Sequence, residues 1–446
     1  MQLDKGLCQP SPVSLRLNPA RQQPTSINGW DGTIPWCDTG VYLDHRPAFT
    51  ADPLLHAGAY YVQEASSMFI WHGLKHLIGS GLLPTDTGLC LDLCAAPGGK
   101  STLLRSALPS DFLLIANEPI RPRAQVLAEN LAKWGTENTI VTNLMPEALI
   151  TRFTGGRLIV NEQDSAHCTP PALSTLSHGI DLLVCDVPCS GEGMFRKEDE
   201  AVRQWSPSLV EECARLQRSI VATAWDALQP GGILIYSTCT FNPLEDEANV
   251  LWICHELGGE AIDIPYDPQW GILRYTDLAD TDSPNASTLT DGNTSTAELQ
   301  TTLARCLHFI PGYVRGEGFF CAFIRKSVNA PLPAIATAKT GKRHNAKVKD
   351  SKKAIADTDY CLPIDLLDDK NAPRVELSLT DANRYLRRES LILSPGIPTG
   401  IVQVCYQGQR LGLMKNLGAR ANNIYPKEWR IRSSHLEPYS LFSYSE

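Results

Sequence analysis

Short apolar runs alternate with longer amphipathic stretches through the middle of the chain, between residues 64 and 255. The runs that read as strands are GLCLDLCA, DFLLIANE, NTIVTN, IDLLVCDVP and GGILIYSTC. Between them lie helical patterns such as RPRAQVLAENLAKWG and PSLVEECARLQRSIVATAWDAL. Strands and helices in alternation predict βαβ crossovers and a mainly parallel sheet. We therefore predict an α/β fold with a Rossmann-like core.

The segments on either side of this core have different patterns. Residues 1–60 are rich in Pro, Gly and polar residues, which predicts a small mixed α+β cap. We extend the core over 61–326, because PGYVRGEGFFCAFIRK at 311–326 supplies further strand material, and we expect a hairpin there that closes one edge of the sheet. Residues 357–446 resume a globular pattern that ends in the strand-and-turn stretch GIVQVCYQGQRLGLMKNLGARANNIYPKEWRIRS.

Two polar segments interrupt this organisation. Residues 277–302 are rich in Ser, Thr, Asp and Asn and cannot bury enough apolar surface to fold alone, so we expect an exposed loop. Residues 327–356 form a linker with a basic run made of Lys339, Lys342, Arg343, Lys347, Lys349, Lys352 and Lys353. This linker is either a solvated spacer or an electrostatic tether for phosphate.

Length, cysteine usage and charge narrow the class of protein. A chain of 446 residues favours two or three units with separate cores. The 14 cysteines follow a start, MQLDKGLCQP, without a secretory pattern, so we expect free thiols in a reducing cytoplasm. No stretch approaches the roughly 20 apolar residues that span a bilayer. A net charge of −9 disfavours a nucleic-acid partner unless the protein has a local basic face.

A glycine-rich turn follows the first predicted strand, in LDLCAAPGGKSTLL at 91–104. Gly98 and Gly99 let the backbone approach a ligand closely where the strand passes into a helix. About 20 residues further on, the next strand ends in Glu118, where an acidic side chain can hold ribose hydroxyls. Taken singly, the turn is equally a plain strand-to-helix corner and Glu118 a helix-capping acid. Together they indicate a cofactor that contains adenosine.

Two further loops bring thiols to the same edge of the predicted sheet. DVPCSGEGMFRK at 186–197 follows the strand IDLLVCD, and STCTFNPLEDEANV at 237–250 follows GGILIY. Open α/β sheets bind ligands at the carboxyl ends of their strands, so Asp186, Cys189 and Cys239 should converge. The CxxxC spacings of Cys90/Cys94 and Cys185/Cys189 also suggest a metal site, which we disfavour because each pair straddles a strand end.

A thiol at this position suits methylation of a pyrimidine. C5 of cytosine is too weak a nucleophile to accept a methyl group directly, but addition of a thiolate at C6 makes C5 enamine-like. The thiolate is the reactive form, so nearby cations or dipoles should lower its pKa. An acid near N3 would favour the adduct, and Asp186 is placed for that role. The second thiol, Cys189, is placed to assist the later elimination.

The motifs CAAPGGK, DVPCSGEG and STCTFNP together resemble the NOL1/NOP2/Sun family of RNA cytosine-5 methyltransferases. AYYVQEASSMF at 59–69 and SLRLNP at 14–19 are similar to two further family motifs, and the match covers residues 10–326. RGEGFF and LGLMKNLGARANNIYPKEWRIRS extend it into the bacterial RsmF-like branch, which methylates ribosomal RNA and has a PUA-like RNA-binding tail. The resemblance thus implies a methyltransferase core dependent on S-adenosylmethionine, a cap that also binds RNA and a mostly β carboxyl-terminal module.

Roles for individual residues follow from the same resemblance. Cys239 of the Thr-Cys motif is implied to be the nucleophile, Cys189 of the Pro-Cys motif to aid product release, and Asp186 to border both cofactor and base. We count Lys100, which closes the glycine turn, with these catalytic residues. The residues implied to bind S-adenosylmethionine are Cys94, Ala95, Ala96, Pro97, Gly98, Gly99, Lys100, Glu118, Asn143 and Asp186.

The sequence departs from the family pattern in two places. After the third strand the family has an acidic residue, whereas TNLMP offers Asn143 and Met145. An extra segment at 152–180 is expected to be a surface elaboration, with His167 and His178 facing solvent. Contact with RNA, through phosphate or by stacking on unpaired bases, is expected from Arg16, Lys100, Arg196, Lys197, Arg420, Lys427, Trp429 and Arg430. Lys100, Arg196 and Lys197 are alternatively a solvated positive edge, and Trp429 is equally a core residue.

Four other functions would account for part of these sequence features, beside methylation of small-subunit ribosomal RNA. A transfer RNA cytosine-5 methyltransferase would share the chemistry. A DNA cytosine methyltransferase places its nucleophile in the Pro-Cys loop, and the additional Thr-Cys loop favours RNA. A non-catalytic RNA-binding assembly factor has no need of both thiols and the glycine turn. A nicotinamide-dependent oxidoreductase is disfavoured because CAAPGGK lacks the GxGxxG spacing.

Overall fold

The structure is a computed structural model that describes residues 2–135, 137–154, 179–278, 296–330, 361–362, 366–433 and 436–444. Most of the segment 152–180, with His167 and His178, lies outside the described residues. So do the greater part of the polar segment 277–302 and the basic run of the linker 327–356.

The amino-terminal segment forms a small antiparallel sheet. The elements of this segment are α1 (Gln2–Leu7), β1 (Val13–Leu17), β2 (Ser26–Ile27), β3 (Trp30–Thr33), β4 (Gly40–Leu43), α2 (Pro53–His56) and β5 (Tyr60–Val62). Four of these strands form the sheet and pair in the order β3-β4-β1-β5. β1 lies between β4 and β5, and its middle residues are buried on both faces of the sheet. The position of β1 therefore removes Arg16 from the surface.

A larger sheet forms the centre of the molecule, in the order β12-β13-β14-β10-β9-β6-β7-β8-β15, with β11 also paired to β14. Its strands are β6 (Gly88–Asp92), β7 (Phe112–Asn117), β8 (Thr139–Thr142), β9 (Ile180–Asp186), β10 (Leu228–Thr238), β11 (Gly259–Ile262), β12 (Leu273–Arg274), β13 (Leu307–Phe309), β14 (Phe319–Lys326) and β15 (Cys361–Leu362). The strands from β10 to β8 pair in parallel. The predicted α/β fold with a Rossmann-like core is therefore confirmed.

Helices cover both faces of this sheet. They are α3 (Phe69–Gly79), α4 (Gly99–Ala107), α5 (Arg121–Trp134), α6 (Pro146–Thr154), α7 (Asp199–Gln204), α8 (Pro207–Trp225), α9 (Glu247–Glu256), α10 (Tyr275–Leu278) and α11 (Thr296–Leu303). Successive residues of β9 point to opposite faces, yet Leu182 and Leu183 are both fully buried. Leu182 packs in a cluster with Leu74 of α3, and Leu183 in a second cluster with Val221 of α8. Burial on both faces explains why β9 reads as a continuous apolar run.

The predicted hairpin at 311–326 differs in detail from the structure. Only Phe319–Lys326 is a strand, and it pairs antiparallel with β10 on one side and with β13 and β11 on the other. The hairpin therefore begins at Leu307 instead of Pro311, and β12 extends the sheet beyond it. At the opposite edge, β15 pairs antiparallel with β8, which the apolar pattern does not reveal because β15 has two residues.

The carboxyl-terminal segment forms a separate four-stranded sheet in the order β16-β17-β18-β19. Its elements are β16 (Arg374–Glu376), α12 (Leu379–Leu386), β17 (Gly400–Tyr406), β18 (Gln409–Asn416), β19 (Ala421–Asn423) and β20 (Phe442–Ser443). β20 pairs with β2 of the amino-terminal segment. Leu15 and Tyr60 lie in the same apolar cluster as Tyr385 and Tyr425, so the two end segments share one core.

Within the described ranges, no helix combines the length and the apolar content that crossing a bilayer requires.

Candidate active site

The glycine turn joins β6 to α4 in the predicted way. Gly98 precedes the first residue of α4 and has a φ of +115°, a conformation that side chains disfavour. A Cβ at this position would lie 3.3 Å from Cδ1 of Leu127 on α5, which is a tight contact. The Ser101 hydroxyl donates to Oδ2 of Asp92 (2.6 Å) and so ties the first turn of α4 to the end of β6. The turn therefore needs glycine for its own backbone geometry.

Glu118 and Asn143 follow the next two strands and lie together. The Glu118 carboxylate is buried, accepts from the backbone N–H of Ile120 (2.9 Å) and pairs with Arg123 (3.3 Å). The Asn143 amide donates to the carbonyl oxygens of Glu118 (2.8 Å) and Pro119 (2.9 Å). Asn143 thus supports the turn that carries Glu118, while Met145 is 60% exposed.

Asp186, at the end of β9, connects the glycine turn to the Thr-Cys loop. One carboxylate oxygen accepts from the hydroxyl of Ser237 (2.8 Å), and the other pairs with Nζ of Lys100 (2.8 Å). Burial disfavours the charged Lys100, but attraction to Asp186 outweighs it and raises the pKa of the ammonium. Nζ of Lys100 also lies 5.4 Å from the ring centroid of Phe319. Three loops thus meet at one ion pair.

The two thiols of the Pro-Cys and Thr-Cys loops face each other. Their sulfur atoms are 3.2 Å apart, and the backbone N–H of Cys239 points at Sγ of Cys189 (3.4 Å). The hydrogen bond from Cys189 lowers the pKa of Cys239 despite its burial, and Lys100 acts in the same direction. The same hydrogen bond, together with burial, raises the pKa of Cys189. These interactions favour the charged form of Cys239 and the neutral form of Cys189.

A cavity of about 210 Å³ lies beside this rim. Its lining residues are Tyr61, Val62, Gln63, Glu64, Ser67, Cys94, Ala95, Ala96, Pro97, Gly99, Lys100 and Asp186. One wall is thus the glycine turn, and the other is the segment 61–67, which begins in β5 at the edge of the amino-terminal sheet.

Carboxylates dominate the electrostatics around the glycine turn. Burial raises the pKa of Asp92 to about 7, and the charges of Asp186 and Glu118 add to this effect. Oδ1 of Asp92 is buried and has no hydrogen-bond partner among the described residues. A ligand with positive charge would relieve this accumulation of negative charge. S-adenosylmethionine carries a sulfonium and an ammonium group, so the residues present fit that cofactor.

The structure corrects the expected RNA contacts of Arg16 and Arg196. Arg16 is fully buried, where its guanidinium donates to Gln63 (2.9 Å) and Thr102 (2.6 Å) and stacks over Trp134. Arg196 is also buried and pairs with Glu317 (2.6 Å), and Lys197 pairs with the same carboxylate (3.2 Å). The guanidinium groups of Arg16 and Arg196 thus hold segments of the protein together and are not available to phosphate, whereas Lys197 is exposed beside its ion pair.

The other expected RNA contacts lie elsewhere in the fold. Trp429 is half-buried against the core that the two end segments share. Arg420, Lys427 and Arg430 are exposed on the carboxyl-terminal segment. Lys100 is engaged with Asp186 at the rim. Arg420, Lys427 and Arg430 are therefore the candidates for the local basic face that the RNA hypothesis requires.

Two acids that the sequence analysis missed lie beneath the thiols. Glu245 and Asp246 are both fully buried, and their side chains accept hydrogen bonds from residues next to Cys189 and Cys239. The available signal was the run LEDEAN directly before an apolar helix, since consecutive acids are seldom buried unless they have partners.

In the described part of the chain, no cluster of three or more His, Cys, Asp or Glu side chains is arranged to hold a metal ion. Twelve cysteines in the described part of the chain, Cys189 and Cys239 among them, are free thiols.

Comparison with known proteins places the chain in a family. Residues 80–257 match the family described as 16S rRNA methyltransferase RsmB/F. Residues 2–65 match the N-terminal domain of 16S rRNA methyltransferase RsmF, and residues 372–431 match the methyltransferase RsmF PUA domain. Successive parts of the chain thus match the same group of methyltransferases.

Individual relatives agree with these matches. The chain is 28% identical to ribosomal RNA small subunit methyltransferase F of Erwinia tasmaniensis, over 89% of this chain and 84% of that protein. It is 29% identical to the protein of that name from Escherichia coli, over 91% of this chain and 86% of that protein. A solved methyltransferase homologue from Pyrococcus horikoshii has the same fold, with a TM-score of 0.51, 22% identity and coverage of 73% of this chain and 90% of that one. The resemblance inferred from the motifs is confirmed: the chain belongs to the RsmB/F family of methyltransferases, in its RsmF group.

Proposed function

We propose that this protein transfers the methyl group of S-adenosylmethionine to C5 of a cytosine in RNA through a transient bond between Cys239 and C6. The observation that carries the proposal is the pair of sulfur atoms 3.2 Å apart at the sheet edge that also bears the glycine turn. A single buried cysteine would be an ordinary packing residue. Two thiols in hydrogen-bond contact beside an ion pair have the arrangement that a covalent mechanism requires.

The cofactor would be held by the glycine turn, Cys94 to Lys100, and by Glu118 in the position for ribose hydroxyls. When bound, it supplies an electrophilic methyl carbon. Asp186 and Asp92 would face its positive groups, and the turn would exclude water from them. Asn143 acts through the backbone of Glu118 and Pro119, which it fixes by two hydrogen bonds.

Replacement of Asp92 with asparagine tests this electrostatic arrangement. A carboxyl with a pKa near 3.9 when unfolded and about 7 when folded costs stability increasingly as the pH rises between those values. We expect Asp92→Asn to raise the free energy of unfolding by up to about 4 kcal/mol at about pH 8, and by about 1.5 kcal/mol at about pH 5. Thermal unfolding at both pH values measures this difference.

The same variant reports on the cofactor without an activity assay. Because the ionised Asp92 would attract the cationic cofactor, S-adenosylmethionine should raise the melting temperature of the native protein more than that of Asp92→Asn at about pH 8. Equal shifts in the two proteins would show that Asp92 does not face the cofactor.

Addition to the base begins with ionisation of Cys239. Cys189 donates a hydrogen bond to the thiolate, and Lys100 contributes positive charge nearby. The sulfur then bonds to C6 of the cytosine, and the electron pair of the C5–C6 double bond shifts to form a C4–C5 double bond, which places negative charge on N3. The Lys100 ammonium, held by Asp186, supplies a proton or hydrogen bond at N3, where this charge develops.

Release of the product requires removal of the C5 proton and expulsion of the Cys239 thiolate. Cys189 is the base that we assign to this step. Its raised pKa is caused mainly by the hydrogen bond to Cys239, and that contact changes once the sulfur of Cys239 is bound to carbon. Cys189 can then ionise and accept the C5 proton, which restores the C5–C6 double bond as the C–S bond breaks.

The proposed substrate is RNA in which the target cytosine is unstacked. C6 of the cytosine can be reached only when the base is turned out of its stack and into the rim. Exposed Arg420, Lys427 and Arg430 would contact the backbone of the same RNA. The curated relatives are named as methyltransferases of small-subunit ribosomal RNA, so we propose that RNA as the substrate and not transfer RNA.

Bisulfite mapping of RNA from cells with and without the gene tests this substrate. We expect one cytosine of the small-subunit ribosomal RNA to be resistant to deamination only when the gene is present. Loss of resistance in a transfer RNA would assign the other substrate. If no cytosine changes in any RNA, a non-catalytic role in assembly replaces the proposal.

A further inference from the structure

Glu245 and Asp246 lie side by side between the Thr-Cys loop and α9, with side chains that no solvent reaches. Neither residue is placed to contact a base or a cofactor. Burial raises the pKa of both carboxyl groups, so their location is unfavourable for the charged form. Buried acids are retained where specific hydrogen bonds compensate this cost. The partners of these two acids are therefore informative.

Glu245 fixes the peptide groups on both sides of Cys189. Its carboxylate accepts from the backbone N–H of Ser190, with 3.0 Å to Oε2. The same oxygen accepts from the side-chain amide of Gln217 (2.7 Å), which also donates to the carbonyl oxygen of Pro188 (2.9 Å). Both neighbours of Cys189 in the chain are thus anchored to one carboxylate, directly or through Gln217.

Asp246 does the same for the other loop. Its Oδ1 accepts from the hydroxyl of Thr238 (2.6 Å), the residue directly before Cys239. The hydroxyls of Ser190 and Thr240 are 2.9 Å apart and join the two loops on their other side. Because Glu245 and Asp246 are consecutive, a single backbone segment holds both cysteine loops.

The backbone of this segment is fixed in turn. The hydroxyl of Tyr236, on β10, donates to the carbonyl oxygen of Glu245 (2.6 Å), and the amide of Asn249, on α9, donates to the same oxygen (3.1 Å). The acids are therefore tied to the sheet and to a helix, and motion of one loop relative to the other would break several buried hydrogen bonds.

We propose that Glu245 and Asp246 are positioning residues, which together set the distance between the sulfur atoms of Cys189 and Cys239. The role in catalysis rests on the proposed function, because the spacing matters only if both thiols act on one base. The spacing itself can be measured without RNA. Loss of Glu245 should release the Pro-Cys loop and so impair the step assigned to Cys189 more than the addition of Cys239.

Disulfide trapping in the full-length protein without RNA measures the spacing directly. Diamide accepts two electrons and the two thiol protons as the Cys189–Cys239 bond forms, and mass spectrometry of peptides follows its rate. Formation should be slower by about tenfold in Glu245→Gln, because a bond needs both sulfur atoms in one narrow geometry. The control Glu211→Gln, which removes an exposed acid of α8, should react as the native protein does. An unchanged rate in folded Glu245→Gln overturns the positioning role.

A second assay tests whether the distance between the two sulfur atoms affects turnover on RNA. Glu245→Gln should accumulate the covalent protein–RNA complex, and adding this change to Cys189→Ser should cause no further accumulation, since both act on one step. Additive effects in the double variant overturn the link. If Cys189→Ser itself forms no complex, the step assigned to Cys189 in the proposed function fails, while the disulfide rate still decides the positioning role. Asp246→Asn serves in both assays if Glu245→Gln does not fold, with slower disulfide formation again expected.

Discussion

Replacing Cys239 with serine is expected to lower the rate of methyl transfer on the order of 10⁴-fold. A serine hydroxyl stays protonated at neutral pH, so the hydrogen bond from Cys189 and the charge of Lys100 cannot convert it into a nucleophile comparable to a thiolate. The exchange of sulfur for oxygen leaves the size of the side chain nearly unchanged, so the fold should persist. Transfer of radiolabelled methyl groups to RNA in a single turnover measures the effect.

Two comparisons make this result specific. Cys8→Ser removes an exposed thiol that belongs to neither cysteine loop and should retain native activity. Binding of S-adenosylmethionine to Cys239→Ser should also be retained, because the glycine turn and Glu118 are untouched. Full activity in Cys239→Ser, combined with loss in Cys189→Ser, would reverse the roles of the two thiols.

Replacing Cys189 with serine is expected to trap the protein on its RNA. The methyl group is transferred, but the C5 proton is then removed slowly, because serine is a far weaker base than a thiolate. We expect multiple turnover to fall about 100-fold, in line with the loss of a general base. A slowly migrating protein–RNA band in a denaturing gel measures the trapped adduct.

The adduct should disappear in the double variant Cys189→Ser, Cys239→Ser, which identifies Cys239 as the attached residue. Methylated bases should be found within the trapped material. Rapid turnover by Cys189→Ser without any adduct would show that another group removes the proton.

The sheet and the convergence of the motifs on one rim were predictable from the sequence. Asp186 and Ser237 stand at the carboxyl ends of two apolar runs. The carboxyl ends of neighbouring parallel strands lie at the same edge of a sheet. The structure joins these two residues by a 2.8 Å hydrogen bond. The prediction succeeded because it depended on local patterns and on the rules of parallel sheets, not on side-chain packing.

Predictions about single cations were wrong where distant parts of the chain decide burial. Arg16 lies in a short polar-looking motif, but β1 is the inner strand of its sheet, and Gln63, Thr102 and Trp134 surround the guanidinium. Arg196 is covered because Glu317, more than 100 residues later, provides a buried partner. A sequence pattern does not contain this information, since it depends on how the segments pack.

The same limit explains why Glu245 was missed. Its partner Ser190 is 55 residues away, and a run of acids before a helix normally indicates a solvated end. Only the folded arrangement shows that the acids enter the space between two loops.

The pairing of β2 with β20 has a consequence for how the protein is made. Ser26 and Ile27 pair with Ser443 and Phe442, so the strands of the amino-terminal segment complete their core only after roughly 400 further residues have been translated. Contacts over such a sequence separation form late, and the apolar surface of Leu15 and Tyr60 stays uncovered in the nascent chain. Newly synthesised molecules should therefore depend on chaperones until their last strand is in place.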